Sequence, residues 1–350
     1  MELIKIFSFP LDIAANPYLK LFYNSLKEYG YVHAGGLVVN DLWLKGNKKN
    51  IDILHFNWPE DIWRLRGRNK FSKLRGVLGF WKYLDLARKF NIKIWWTLHN
   101  LEHHEGVDII DRFAYLILAR KSDIIICHSR YSASELRKRY KNTGKTVIMY
   151  HGLYEGVYPE PNSKEKIIKT LNLDPDIPIF SCLGNIRYYK GFDLAAKAIS
   201  TLEQRVQLII AGNVHPSYDI SVLEKIIKNS KNKIILIPKF LSDQEFSDIM
   251  SISDAIILPY RKITTSGLLL AAWSFLKPVI VSDHPYFREL TEGYPNTAFF
   301  FSPKNYLELQ KTLQSFLETD KNLIRSEILS LKKRYSWKEC VKALISALGS

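Results

Sequence analysis

Ten short apolar runs, separated by longer amphipathic stretches from one end to the other, constrain this chain more than any other feature. In the first half they are ELIKIFSF, ILHFNW, KIWWTLHN, DIIICHS and TVIMYHG; in the second, IPIFSCLG, VQLIIAG, KIILIPK, DAIILPY and KPVIVSD. Runs that are apolar almost throughout, not at every other position, read as strands buried on both faces. The stretches 73–90, 108–121, 131–140, 193–203, 221–229, 243–251 and 267–275 read as the helices that cover them. The fold class is therefore α/β with parallel sheets. The alternation breaks once, over 155–178, where Pro159, Pro161, Pro175 and Pro178 punctuate a segment without strand pattern. A linker and a short helix there, with a new βα series from Ile179, divide the 350 residues into two sheets facing a central cleft. Ligands of open α/β sheets bind beyond the carboxyl ends of strands, so the loops that follow strands should carry the chemistry.

Three such loops are rich in chemistry. The first is Leu183-Gly184-Asn185-Ile186-Arg187-Tyr188-Tyr189-Lys190-Gly191. Gly184 permits close backbone approach, and Arg187 and Lys190 at a helix start suit a diphosphate; an ordinary turn with solvated charges explains the spacing equally well. The second is Thr264-Thr265-Ser266-Gly267 after DAIILPY. Capping a helix needs one hydroxyl, so three in succession before a glycine point to a phosphate-binding nest. The third is Thr97-Leu98-His99-Asn100-Leu101-Glu102-His103-His104-Glu105, where imidazoles and carboxylates suited to proton transfer are concentrated. A metal site there would need His99 and His103 on one helix face directly after a strand, so no metal is expected.

These loops closely resemble those of GT-B glycosyltransferases, in particular the family-4-like group (glycosyl transferases group 1). Residues 184–193 are similar to the signature G-x-[IL]-R-x-Y-K-G-x-[DE], with Asp193 at its acidic end. The stretch Tyr260 to Asp283 is similar to the nucleotide-sugar site, and 97–105 to the T-x-H-N-x-x-x-H-E loop. The resemblance implies a GT-B fold of two Rossmann-like domains. It places an acceptor-side domain over 1–157, a linker over 158–178, a nucleotide-sugar domain over 179–334, and a helix over 335–350 returning to the first domain. It implies a hexosyltransferase that uses a UDP- or GDP-sugar without cofactor and acts on a glycan or lipid-linked saccharide. Donor contacts fall on Gly184, Arg187, Lys190, Asn213, Thr264, Thr265, Ser266, Gly267 and Glu289. Catalytic roles fall on His99, with Glu102, His104 and Glu105 competing as base. His55-Phe56-Asn57-Trp58-Pro59-Glu60 is similar to a segment whose polar groups face the acceptor, whereas His128-Ser129 and His151-Gly152 fit a structural role as well as a site role. The chain departs from the group at one place: the glutamate pair spaced E-x7-E would fall near Ile263 and Ala271, neither of them acidic. That departure leaves the stereochemical course open and admits a second reading, a GT-B-shaped protein that binds sugar nucleotide without turnover.

The net charge of +15 is unevenly placed. Residues 61–90 hold nine basic and two acidic residues, interleaved with Trp63, Phe71, Leu74, Val77, Leu78, Phe80, Trp81 and Tyr83. Such a segment is either a core helix with solvated charges or one that lies on an anionic membrane surface. The charge also admits a third reading, a basic nucleic-acid-binding protein, but no binding module is apparent, so nucleic acid is not an expected partner. The beginning MELIKIFSFP lacks the apolar core of a signal peptide, no run is long enough to span a membrane, and Cys127, Cys182 and Cys340 form no framework. The expectation is a cytoplasmic protein, peripheral to the membrane at most.

Overall fold

The structure, a computed structural model, describes residues 3–12, 16–64, 70–100, 108–141 and 143–349. The chain divides into two compact units, one of residues 1–152 with 336–350 and the other of residues 153–335. The segment 158–178 lies within the second unit. Its helix Lys164–Thr170 buries Ile167 and Ile168, and Asn162 is bonded through backbone and side chain to Asp248 at 2.7 and 2.8 Å.

In the first unit the strands are β1 (Ile4–Phe9), β2 (Tyr31–Gly36), β3 (Ile53–Phe56), β4 (Lys93–Leu98), β5 (Ile124–Cys127) and β6 (Lys145–Ile148), ordered β2-β1-β3-β4-β5-β6. The second unit repeats the architecture with β7 (Ile179–Leu183), β8 (Gln207–Ala211), β9 (Lys233–Ile237), β10 (Ala255–Leu258), β11 (Val279–Ser282) and β12 (Ala298–Phe301), ordered β12-β11-β10-β7-β8-β9. Every pairing between these strands is parallel. Each unit is a Rossmann-like domain with its order reversing beside the first strand, which places the ligand end at the carboxyl edge of the sheet. β3, β5, β7, β8, β10 and β11, apolar but for His55, Ser181, Gln207 and Ser282, are buried at every position, as strands covered on both faces must be. The two strands that the sequence pattern does not announce, β2 and β12, both lie at a sheet edge. β2 is half-exposed and ends in Gly35-Gly36, so it carries little apolar signal.

The last helix, Trp337–Gly349, completes the first unit. Cys340, Val341 and Leu344 pack with Tyr18, Leu19 and Phe22 of helix Tyr18–Leu26 over one face of the first sheet. Each large aliphatic side chain buried in this way stabilises by about 1.5–3 kcal/mol. A glycine makes the return possible: a Cβ on Gly152 would lie 2.4 Å from the Trp337 ring. Among the described residues no helix is long and apolar enough to cross a membrane.

The basic segment separates into two parts. Trp63, Val77, Phe80 and Tyr83 belong to the core, while Phe71, Leu74, Leu78 and Trp81 face outward from helix Lys70–Lys89. Arg64 and Lys73 turn inward to the buried Asp111, at 2.7 Å each, and Asp111 also accepts from Trp63 Nε1 at 2.9 Å. The bonds from Arg64, Lys73 and Trp63 outweigh burial and hold the Asp111 carboxyl well below the usual range. Lys70, Arg75, Lys82, Arg88 and Lys89 remain exposed.

Candidate functional site

The loops after β7, β8 and β10 meet at the carboxyl edge of the second sheet. Gly184 (φ 95°) donates its amide to Ala211 O at 3.0 Å, and Ile186 N donates to the carbonyl of Asn213 at 2.8 Å. The backbones are so close that a Cβ on Gly212 would lie 2.0 Å from the Gly184 carbonyl oxygen. The exposed Asn213 is thereby brought beside the Gly184 loop. Arg187 precedes a short 3-10 turn, Tyr188–Lys190, and Gly191 (φ 68°) hands the chain to helix Phe192–Thr201. Only glycine fits there, because the conformation is left-handed and a Cβ would meet the Pro259 carbonyl oxygen at 2.0 Å.

Lys190 is the centre of the arrangement. Its ammonium donates to the Tyr260 hydroxyl at 3.0 Å and lies 4.6 Å from the centroid of the same ring. Burial pulls the Lys190 pKa down from its ordinary value, and Arg187 adds to that pull. An anion brought beside this ammonium would relieve both effects. Tyr260 is itself fixed: it is buried, and Ser282 Oγ donates to its carbonyl at 2.7 Å.

The TTSG segment opens helix Gly267–Ser274. Ser266 is the cap, accepting from Leu269 N at 3.3 Å, and its own amide donates to the Tyr286 hydroxyl at 3.1 Å. Two of the nest's amides are thus spoken for, while those of Gly267 and Leu268 have no acceptor within the helix. Thr264 and Thr265 are half-buried. Glu289 is half-buried on helix Pro285–Leu290, the helix that supplies Tyr286. Ile263 and Ala271 are buried apolar residues, so the departure at the glutamate pair is real in three dimensions.

In the first unit, strand ends bring histidines together. His99, after β4, is 7% exposed; its ring stacks on Trp58 with centroids 4.0 Å apart, and Nε2 is 3.2 Å from Asn57 Oδ1. His128 and His151 follow β5 and β6, and the ring of Tyr18 lies 4.7, 5.3 and 4.9 Å from His99, His128 and His151. Burial depresses all of these imidazoles, with neighbouring rings adding to it at His99 and His151. His55 is also engaged inside the unit, with Nδ1 on Tyr23 at 2.7 Å and Nε2 on Thr97 at 2.8 Å. Glu60 is buried against the Tyr115 hydroxyl, and Ser129 caps helix Arg130–Arg139. The polar groups of His55 and Glu60, read from sequence as facing an acceptor, therefore serve the interior; from that segment Asn57 and Trp58 reach His99. Glu102, His104 and Glu105 lie outside the described residues. Among the described residues no cluster of three or more His, Cys, Asp or Glu has the geometry to hold a metal.

The loop residues are marked in the sequence by their glycines, hydroxyls and charges, whereas Tyr260, Tyr286, Tyr18 and Arg261 are not. These act through contacts made at long range, and no local spacing marks them.

Residues 163–330, within the second unit, match the sequence profile of the family described as Glycosyl transferases group 1. The second unit thus carries a group 1 glycosyl transferase domain. Solved structures similar along almost the whole chain include sucrose-phosphate synthase from Thermosynechococcus elongatus (15% identity, TM-score 0.72, covering 99% of this chain and 98% of that one). HepE from Anabaena, solved with UDP and glucose, is 14% identical with a TM-score of 0.73 and 99% coverage of both chains. WaaG, a glycosyltransferase involved in lipopolysaccharide biosynthesis, is 13% identical with a TM-score of 0.63, covering 99% of this chain and 100% of that one. At such identities the likeness is one of fold, and the glycosyl transferase here has the GT-B fold. A search of the curated proteins finds no match to the sequence.

Proposed function

We propose that this glycosyl transferase moves a sugar from a nucleoside-diphosphate sugar, with UDP as the nucleotide, to a hydroxyl of a glycan or lipid-linked saccharide. The observation that carries the reading is the joining of Lys190, through Tyr260, to the loop that leads into the TTSG helix start. An ammonium and helix-start amides placed together offer charge and hydrogen bonds to a diphosphate, in the ground state and more strongly as it departs. Arg187 supplies a second cation three residues before Lys190. With these groups the transfer is read as metal-independent. UDP is chosen over GDP because HepE has been solved with UDP-glucose, and a second similar structure, described as trehalose-6-phosphate from E. coli, is bound with UDP-2-fluoro glucose. In the first unit, His99 is held neutral by burial, the state in which an imidazole accepts a proton from an acceptor hydroxyl. The loop with Glu102, His104 and Glu105 follows it directly.

The test is thermal unfolding of the full chain with UDP, GDP and their glucose and mannose derivatives. A ligand at a hundredfold its Kd stabilises by about 2.7 kcal/mol, which raises Tm by about 5–10 °C in a unit of this size. UDP and UDP-glucose are expected to give that rise; no rise with any nucleotide would overturn the donor reading. Hydrolysis or transfer of the bound sugar then separates an enzyme from a binding protein without turnover.

The acceptor side of the reading rests on the surface of helix Lys70–Lys89. Phe71 (85% exposed), Leu74, Leu78 and Trp81 form one stripe at helical spacing, continued by Ile109 (83% exposed) and Phe113 of helix Ile109–Lys121. The ring centroids of Trp81 and Phe113 are 6.1 Å apart, and Lys70, Arg75 and Lys82 flank the stripe on its own helix. An apolar stripe edged by cations is complementary to an anionic bilayer, where a lipid-linked saccharide would be presented. Vesicles of mixed neutral and anionic phospholipid should bind the full chain, and Phe71→Ser with Trp81→Ser should weaken binding about tenfold or more. Equal binding by the double variant would remove this surface from the proposal.

A further inference from the structure

We propose that the ion pair between Arg261 and Asp193 is a positioning element that sets the spacing of the two phosphate-facing loops, and thereby the affinity for nucleotide. The inference rests on the donor reading above and adds to it a pair of residues placed to act through others. Arg261 belongs to the loop after β10, and Asp193 to the first turn of the helix that follows the Lys190 loop. Their side chains meet in a fork, Nη1 on Oδ1 at 2.9 Å and Nη2 on Oδ2 at 2.6 Å.

The same guanidinium makes two further contacts with the Lys190 loop. Nη1 donates to the Tyr188 carbonyl at 2.5 Å, and the plane lies 4.3 Å from the centroid of the Tyr188 ring. The backbone amide of Arg261 donates to the Tyr189 carbonyl at 2.7 Å. One residue therefore holds both carbonyls that precede Lys190 and the carboxylate that follows Gly191. At Gly191 the loops touch with no room for a methyl group, so the spacing is set by contact on one side and by the fork on the other. The adjoining Tyr260 receives the Lys190 ammonium, so a shift of the loops moves cation and helix start apart.

The side chains of Arg261 and Asp193 are 14% and 22% exposed, so water screens the pair little, and a bidentate fork fixes orientation as well as distance. Lysine would keep the charge but could not satisfy the planar fork.

The test uses the full chain and UDP as probe. Titration calorimetry gives the affinity, and amide hydrogen exchange over 184–191 without nucleotide gives the order of the loop. Arg261→Gln and Asp193→Asn are each expected to weaken UDP binding about 10–100-fold and to speed exchange in that loop. Arg261→Lys should fall between them and the parent. The exchanged pair, Arg261→Asp with Asp193→Arg, should recover part of the loss. Binding within threefold of the parent in folded Arg261→Gln would overturn the proposal. So would weakened binding with unchanged exchange, since Arg261 would then be touching the nucleotide instead of holding the loop. If Arg261→Gln fails to fold, Arg261→Lys carries the same two measurements. If the parent chain itself does not bind UDP, the donor reading fails, and the exchange comparison still decides whether the pair holds the loop.

Discussion

Lys190→Ala is expected to lower donor turnover about 100–1,000-fold while leaving the fold in place. Loss of one preorganised donor at a site of developing charge typically costs that much. The reason for so large an effect here is placement. The ammonium is held by the Tyr260 hydroxyl and ring, so its position does not have to be organised at the moment the diphosphate departs. The cost to folding is small by comparison, about 1 kcal/mol for the lost hydrogen bond to Tyr260. The effect should appear mainly in kcat with a smaller change in KM, because negative charge on the leaving oxygen grows towards the transition state. Lys190→Arg should recover part of the activity. Steady-state kinetics with UDP-glucose, alongside a thermal melt, make the comparison; turnover within tenfold of the parent would remove Lys190 from the diphosphate.

Acid is expected to unfold the first unit well before the ordinary carboxylate range is reached. Burial, with nearby imidazoles, depresses His55 and His151 to about 3, and burial depresses His128 to about 4. In the unfolded chain each titrates near 6.5. Below that pH the unfolded state takes up protons that the folded state refuses, so these groups leave stability level above about pH 6.5. They erode it as pH falls from there towards 4. At pH 5 each histidine costs about 2 kcal/mol, and the three together about 6 kcal/mol, comparable with the whole stability of many domains. Of the eight tryptophans only Trp273 lies in the second unit, so tryptophan fluorescence reports chiefly on the first. Denaturant melts followed by fluorescence at pH 7.5 and pH 5 should differ strongly. Equal midpoints would mean that the histidines are not buried in neutral form.

The two expectations draw on opposite kinds of information. Lys190 was legible in the sequence, because a glycine, two cations and a second glycine within eight residues after an apolar run describe a loop at the end of a strand. The acid response was not. His128 and His151 admit a structural or a site role when read in sequence, and only their packing around Tyr18 decides for burial. The exposed apolar stripe is an intermediate case. The sequence showed aromatic and basic residues mixed over 61–90, but which of them face outward depends on how helix Lys70–Lys89 meets the sheet. Trp63 and Phe80 went inside and Phe71 and Trp81 did not.

The ten apolar runs by themselves determined the class of fold, because short strands buried on both faces and alternating with helices are the pattern of parallel α/β sheets. They also located the loops at the carboxyl ends, since each loop is contiguous with the strand that presents it. Only the tertiary structure decided what those loops are fastened to. Arg261 and Asp193 are 68 residues apart, His55 and Tyr23 are 32 apart, and Trp337 fills the space left by a glycine at 152. Such pairs leave no mark in local periodicity. The edge strand β2 was hidden for a related reason: it is half-exposed and ends in two glycines, so its sequence carries little apolar signal, whereas β12 is a short apolar run, Ala298–Phe301. Local patterns fix which element a residue belongs to. The long-range contacts fix where its side chain is held, and the chemistry of this glycosyl transferase depends on both.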